Sequence, residues 1–257
     1  MRFQKERERN SMRNNCKRGL VFTAIGVLAC LGFVSVASAS VVNTISESPC
    51  TGAGSLGVTV GATYINWLPD TGSGTAGCIA VGSGTTMSYG AGTPLVIGTQ
   101  GTILDLSSLT PSPSVNNFMV FTIGSTTLDF VLTGLGPGSS NTICTSLAVG
   151  ASCSALVGSP FILTNEGGTT TLVSLPANGQ VTDNGGASWS SWSGAFSAVI
   201  SNETASQIQG IIGANGSVTS TQGGNFTASV VPEPASMTLL GAGLIAIAMA
   251  ARKRRRA

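Results

Sequence analysis

The sequence predicts a mainly β body, a β-sandwich or jelly-roll-like ectodomain with one short helix, flanked by an N-terminal signal helix and a C-terminal transmembrane helix. Three observations carry this expectation. Short β-prone runs recur between clusters of Gly, Pro, Asn and Ser. An apolar segment with Lys/Arg beside it stands at each end, and the stretch between is almost free of charge.

The β-prone runs are Val58 to Trp67, Leu95 to Ile97, Ile103 to Leu106, Phe118 to Ile123 and Leu128 to Leu132, then Phe161 to Thr164, Thr169 to Leu175, Ser193 to Ile200 and Asn225 to Val230. Runs of this length between turn-forming residues read as strands of a sandwich or jelly roll. Gly-rich stretches such as Thr71 to Gly77 and Ala80 to Thr86 read as loops. One segment is helical: Thr204 and Gln207 have capping-box spacing, Ile208, Ile211 and Ile212 share a face, and Gly213 supplies a stop.

The N-terminal end reads as a signal peptide over residues 1–39. Residues 1–18 carry seven Lys/Arg and two Glu, Leu20 to Val36 is apolar, and Ala37-Ser38-Ala39 is a small-x-small cleavage site. Met12 offers a second start, and Val27-Leu28-Ala29-Cys30 is a loose lipoprotein box that fits less well than ordinary cleavage. Residues 40–230 remain as one exported β-rich domain, long enough for a sizeable core.

The other end, residues 231–257, is built in three parts. Val231, Pro232, Glu233 and Pro234 form a short proline-rich hinge. Ala235 to Ala251 is an uncharged apolar run, and Arg252, Lys253, Arg254, Arg255 and Arg256 form a basic stop. At about 1.5 Å per residue the apolar run reaches roughly 25 Å, enough to cross a thin membrane with snorkelling flanks. The basic cluster places itself on the cytoplasmic side and the body across the membrane.

This order of parts resembles the PEP-CTERM sorting signal, on Val231-Pro232-Glu233-Pro234, Leu239-Leu240-Gly241-Ala242-Gly243-Leu244 and the closing Arg/Lys cluster. The tail is also similar to the C-terminal domain of some ice-binding proteins. The resemblance implies a membrane-embedded exosortase as processing partner, transient residence in the inner membrane, release or re-anchoring at the cell surface, and a link to exopolysaccharide and biofilm. The body, from Ser159-Pro160-Phe161 to Gln207, resembles uncharacterised exported domains.

Composition excludes much chemistry. All 12 Lys/Arg of the chain lie in the two terminal segments, and there is no His. The body therefore has only acids: Glu47, Asp70, Asp105, Asp129, Glu166, Asp183 and Glu203. Nucleophilic Ser or Cys catalysis lacks its usual base. Phosphate-binding loops lack Lys, and nucleic acid has no cationic surface to meet. Four cysteines remain after signal removal: Cys50, Cys78, Cys144 and Cys153. An even number in an exported domain points to two disulfides, with three pairings open; nearest-neighbour pairing closes the shortest loops. Without His or Cys-x-x-Cys spacing, no metal or cofactor site is expected.

Carboxylates and aromatics are what is left. Asp70-Thr71-Gly72-Ser73 matches the short aspartic-protease signature but has no second copy, and Pro69 stands where an apolar residue belongs. A glycosidase pair would have to come from Asp105, Asp129, Glu166 and Asp183. Trp189, Trp192 and Tyr64 are candidates for stacking on sugar rings, set against burial of Trp192 in a strand. The reading is thus a non-enzymatic, exported surface or extracellular-matrix protein of structural or adhesive role. A carbohydrate-binding module is the alternative, and a carboxylate hydrolase a more remote one.

Overall fold

In a computed structural model of the protein, the described residues are 41–50, 57–70, 75–90, 92–184, 189–230, 240–247 and 252. Ser38–Val231 forms one compact unit. Its elements begin with β1 (Val41–Pro49), β2 (Gly57–Gly61), β3 (Ile65–Leu68), β4 (Ala76–Val81), β5 (Ser88–Tyr89), β6 (Thr93–Pro94) and β7 (Gln100–Leu104). They continue with β8 (Val115–Ile123), β9 (Thr126–Leu135), β10 (Ser152–Cys153), β11 (Ile162–Gly167), β12 (Thr170–Asp183) and β13 (Ser190–Ser201). The helix α1 (Ala205–Gly213), β14 (Ser217–Ser220) and β15 (Gln222–Val230) complete the body.

Eight strands close on themselves in the order β12, β13, β15, β1, β4, β7, β8, β9, and β9 pairs back to β12 from Ala177↔Leu135 to Asp183↔Leu128. Every pairing around the ring is antiparallel. The body is therefore a closed β-barrel, which corrects the sandwich or jelly-roll expectation. Inside-outside alternation is the same in both architectures, because each strand buries one face either way. What decides between them is β12. Along one edge its first half pairs with β11 and its second half with β9, while β13 runs along the other. The eight-strand ring has no free edge to become a second layer.

The seam between β9 and β12 is fastened from inside. A register shift at Asn178/Gly179 interrupts the ladder there. The Trp192 indole N–H then donates to the carbonyls of Val131 on β9 and Gln180 on β12, at 3.1 and 3.0 Å. Gly179 lies directly across from Trp192, and a β-carbon at Gly179 would stand 2.8 Å from Trp192 Nε1. The interior continues as a chain of rings. Phe121 meets Phe130, Phe130 meets Trp192, Trp192 meets Phe226 and Phe226 meets Phe196, with centroids 4.5 to 6.1 Å apart.

Both ends of the barrel are covered. At the end where β15 begins, the three-stranded sheet β14–β2–β3 packs inward. Its Val58, Val60 and Trp67 share a small cavity with Leu175, Phe196 and Gln222 of the barrel. At the end where β1 begins, β5 pairs with Val41 and Val42. The Gly90 N–H donates to Asp183 Oδ2 at 3.0 Å, which ties the β5–β6 turn to the end of β12. Met87, Tyr89 and Leu95 are buried beneath that hairpin.

Local chemistry accounts for the one helix among the described residues of the body. The Thr204 hydroxyl accepts the Gln207 backbone N–H, while Gln207 Oε1 accepts the Thr204 N–H at 2.8 Å. Two of the helix's otherwise orphaned donors are satisfied in this way. Ile208 and Ile212 are buried and Ile211 packs against the core. Disulfides join Cys50 to Cys78 and Cys144 to Cys153, with Cα atoms 5.7 and 5.4 Å apart.

Several element boundaries differ from the sequence reading. The run Val58 to Trp67 is a hairpin of β2 and β3 rather than one strand. Ala76–Val81, taken partly as loop because of its glycines, is β4 and a full member of the barrel. The expected transmembrane helix over 235–251 is also corrected. Among the described residues no helix is long and apolar enough to cross a membrane, and the described helical stretch of the tail is residues 240–247. The signal peptide, Cys30 and the remainder of the tail lie outside the described residues.

Candidate functional site

β15 is the element that leads into the tail. It is held on both sides, by β13 from Ser190↔Val230 to Ala198↔Gln222 and by β1 from Asn43↔Ala228 to Glu47↔Gly224. Because β1 and β15 are antiparallel neighbours, the body begins at Val41 and ends at Val230 on the same rim. Val231, Pro232, Glu233 and Pro234 follow without any spacer. The hinge and Lys253, Arg254, Arg255 and Arg256 lie outside the described residues; Arg252 is described and exposed.

The three aromatic candidates do not form one platform. Trp192 is 1% exposed with its N–H committed to the seam, so it offers no ring to a ligand. Trp189 is 39% exposed at the start of β13, on the rim where Val230 ends. Tyr64, 38% exposed, sits in the β2–β3 turn of the sheet that covers the opposite end. An open cleft of about 800 Å³ is lined by Leu109, Pro111, Leu135, Ser139, Ser159 and Asn178 among others, with neither an aromatic ring nor a charge. Trp189 and Tyr64 thus have no shared groove.

The acids form two loose neighbourhoods, Asp129 with Asp183 and Asp70 with Asp105, and Glu166 stands on another strand. Asp183 serves the Gly90 N–H at one rim. Asp129 pairs with Thr182, one residue out of step with Asp183, so the pleat sends the two side chains to opposite faces. Glu166 is exposed beside the β11–β12 turn. Asp105 accepts the Trp67 backbone N–H at 2.8 Å. Its carboxyl is raised above the ordinary range by burial, with the Trp67 hydrogen bond lowering it and the Asp70 charge raising it. The Asp70 charge thus reaches Asp105, whose carboxyl is engaged in positioning β3. Among the described residues no group of three His, Cys, Asp or Glu is placed to hold a metal ion.

Sequence reasoning passed over the most unusual acid. Glu47 lies on the inward face of β1, two residues beyond Ile45, and is 5% exposed. Neither carboxyl oxygen has a hydrogen-bond partner, and burial pushes its pKa up to about 8. The strand alternation Ile45-x-Glu47 was the signal that could have found it. Gly224 makes room for the carboxyl: a β-carbon there would lie 2.8 Å from Glu47 Oε1 and 3.0 Å from its Cγ. Gly224→Ala is therefore expected to lower stability by about 1–3 kcal/mol, through overpacking of a filled interior. A shift of the urea midpoint at unchanged slope is the check, and an unshifted midpoint refutes the crowding.

The profile of the PEP-CTERM protein-sorting motif matches residues 230–256, starting at the last residue of β15. No match to the chain was found among the curated proteins or among the solved structures. The motif implies export, processing by exosortase and a surface or extracellular fate. Where the barrel ends, the chain thus carries a segment similar to the PEP-CTERM protein-sorting motif.

Proposed function

We propose that the barrel is a passive, non-enzymatic cargo: a structural or adhesive component of the cell surface or extracellular matrix, delivered as a membrane-held precursor and sorted through its tail. The observation that carries this reading is the sorting motif joined directly to a closed, disulfide-bonded domain. Two features support the passive role. The body contains no His, Lys or Arg, and two of its candidate acids, Asp105 and Asp183, are committed to the backbone N–H groups of Trp67 and Gly90. Its surroundings in this reading are exopolysaccharide rather than nucleic acid.

Cell fractionation with intact-mass measurement in the native host tests the sorting step. The parental protein is expected to lose Arg252 to Arg256 on maturation. Glu233→Gln is expected to accumulate as a membrane-associated precursor that keeps them. A mature parental product still carrying the basic cluster would refute processing.

A further inference from the structure

We propose that the barrel rim around Trp189 is a contact surface for the enzyme that processes the tail. This rests on the reading of the tail as a processed sorting signal. Its starting point is how little chain lies between fold and motif. Val230 is still paired with Ser190, and Glu233 is three residues further on. Three residues span at most about 11 Å when fully extended, roughly the diameter of one helix with its side chains. Slack cannot come from β15 without breaking its pairs with β13 and β1. An enzyme acting at Pro232-Glu233-Pro234 therefore works against the rim of a folded barrel.

That rim displays one large ring. Trp189 immediately precedes Ser190, the residue that pairs with Val230, so its backbone lies beside the point where the chain leaves. It is 39% exposed, whereas Trp67 and Trp192 are each 1% exposed. Trp is among the side chains enriched at the energetic centres of protein interfaces, since it buries a large area with few rotatable bonds. The rim offers no cation, because the whole body has none, and Asp183 is occupied by Gly90. The matching face on the enzyme is an apolar recess with a hydrogen-bond acceptor for the indole N–H, free of any need for acidic groups. Recognition then has two parts, the motif in the active site and the rim outside it.

The experiment follows conversion of precursor to mature protein by pulse-chase in the native host, using the full chain. Four variants are compared with the parent: Trp189→Ser, a flexible Gly/Ser insert of about twelve residues between Val230 and Val231, the two combined, and Glu233→Gln. Trp189→Ser is expected to slow conversion on the order of tenfold, the scale of losing an anchoring aromatic. The insert is expected to slow it also, by diluting the rim near the active site, and to erase the further effect of Trp189→Ser. The insert leaves the barrel sequence intact, so the proposal does not depend on Trp189→Ser folding well. Conversion of Trp189→Ser at the parental rate overturns the proposal, and so does faster conversion of the insert, which would make the rim an obstacle. If Glu233→Gln is converted like the parent, the sorting reading itself fails, a result separable from either of those.

Discussion

Replacing Glu47 by Gln is expected to make the barrel more stable at pH 8 and to leave it nearly unchanged at pH 4.5. The carboxyl titrates at about 8 in the folded protein against 4.5 for the free group. Between those values the folded chain holds a proton that the unfolded chain has lost, so stability falls as pH rises. The loss is about 1.4 kcal/mol per pH unit and, over a difference of 8 − 4.5 = 3.5 units, about 5 kcal/mol in all. Below 4.5 both states are protonated and the effect vanishes; above 8 it is complete. The chain has no His to titrate in this window. The Asp105 carboxyl is also raised, so it adds a contribution in the same direction to parent and variant alike. Urea unfolding of the purified protein at pH 5, 6.5 and 8 reads the result. The parent is expected to weaken steadily and the Glu47→Gln variant to stay nearly flat. Equal parental stability at pH 5 and pH 8 would sink the argument.

Trp192 is expected to be the most damaging position in the barrel to truncate. Trp192→Ala removes the ring that joins Phe130 to Phe226 and leaves the space open, a loss of about 3–5 kcal/mol. It also strips a donor from two carbonyls at the closing seam. Trp192→Phe separates these effects, since it keeps most of the ring but not the N–H. Its cost should be about 1–3 kcal/mol, the penalty for the acceptors it leaves behind. Hydrogen exchange locates the damage. Amides of the β9–β12 pairing should lose protection before those of the β13–β15 pairing. Uniform loss around the barrel would mean that Trp192 is an ordinary core residue and not a fastener.

What could be read in the chain, and what could not, follows from the range of the interactions. The helix was legible because its signals are local: Thr204, Gln207 and three isoleucines within nine residues. Most strands were legible from their runs of β-branched and aromatic residues. β4 was not, because Gly77 sits in it to let Trp67 approach, and glycine elsewhere marks a turn. Closure was invisible for a different reason. It depends on β12 changing partners between Ser174 and Ala177, from β11 to β9, a strand more than forty positions earlier. No short window of sequence contains that event. The site divides the same way. The sorting motif reads directly from its residues, whereas the prominence of Trp189 and the concealment of Trp192 depend on which way two nearby residues face.

The ring order also dictates when this protein can mature. β15, the last strand to be made and to cross the membrane, lies between β13 and β1, the last-but-one long strand and the first. A chain entering a foreign compartment amino end first must keep its leading strand unsatisfied along one flank until residue 230 has come through. Non-local pairing of this kind is slow and leaves an exposed template for sticking to other chains. Assembly is therefore a post-delivery event, completed only as the sorting signal itself arrives.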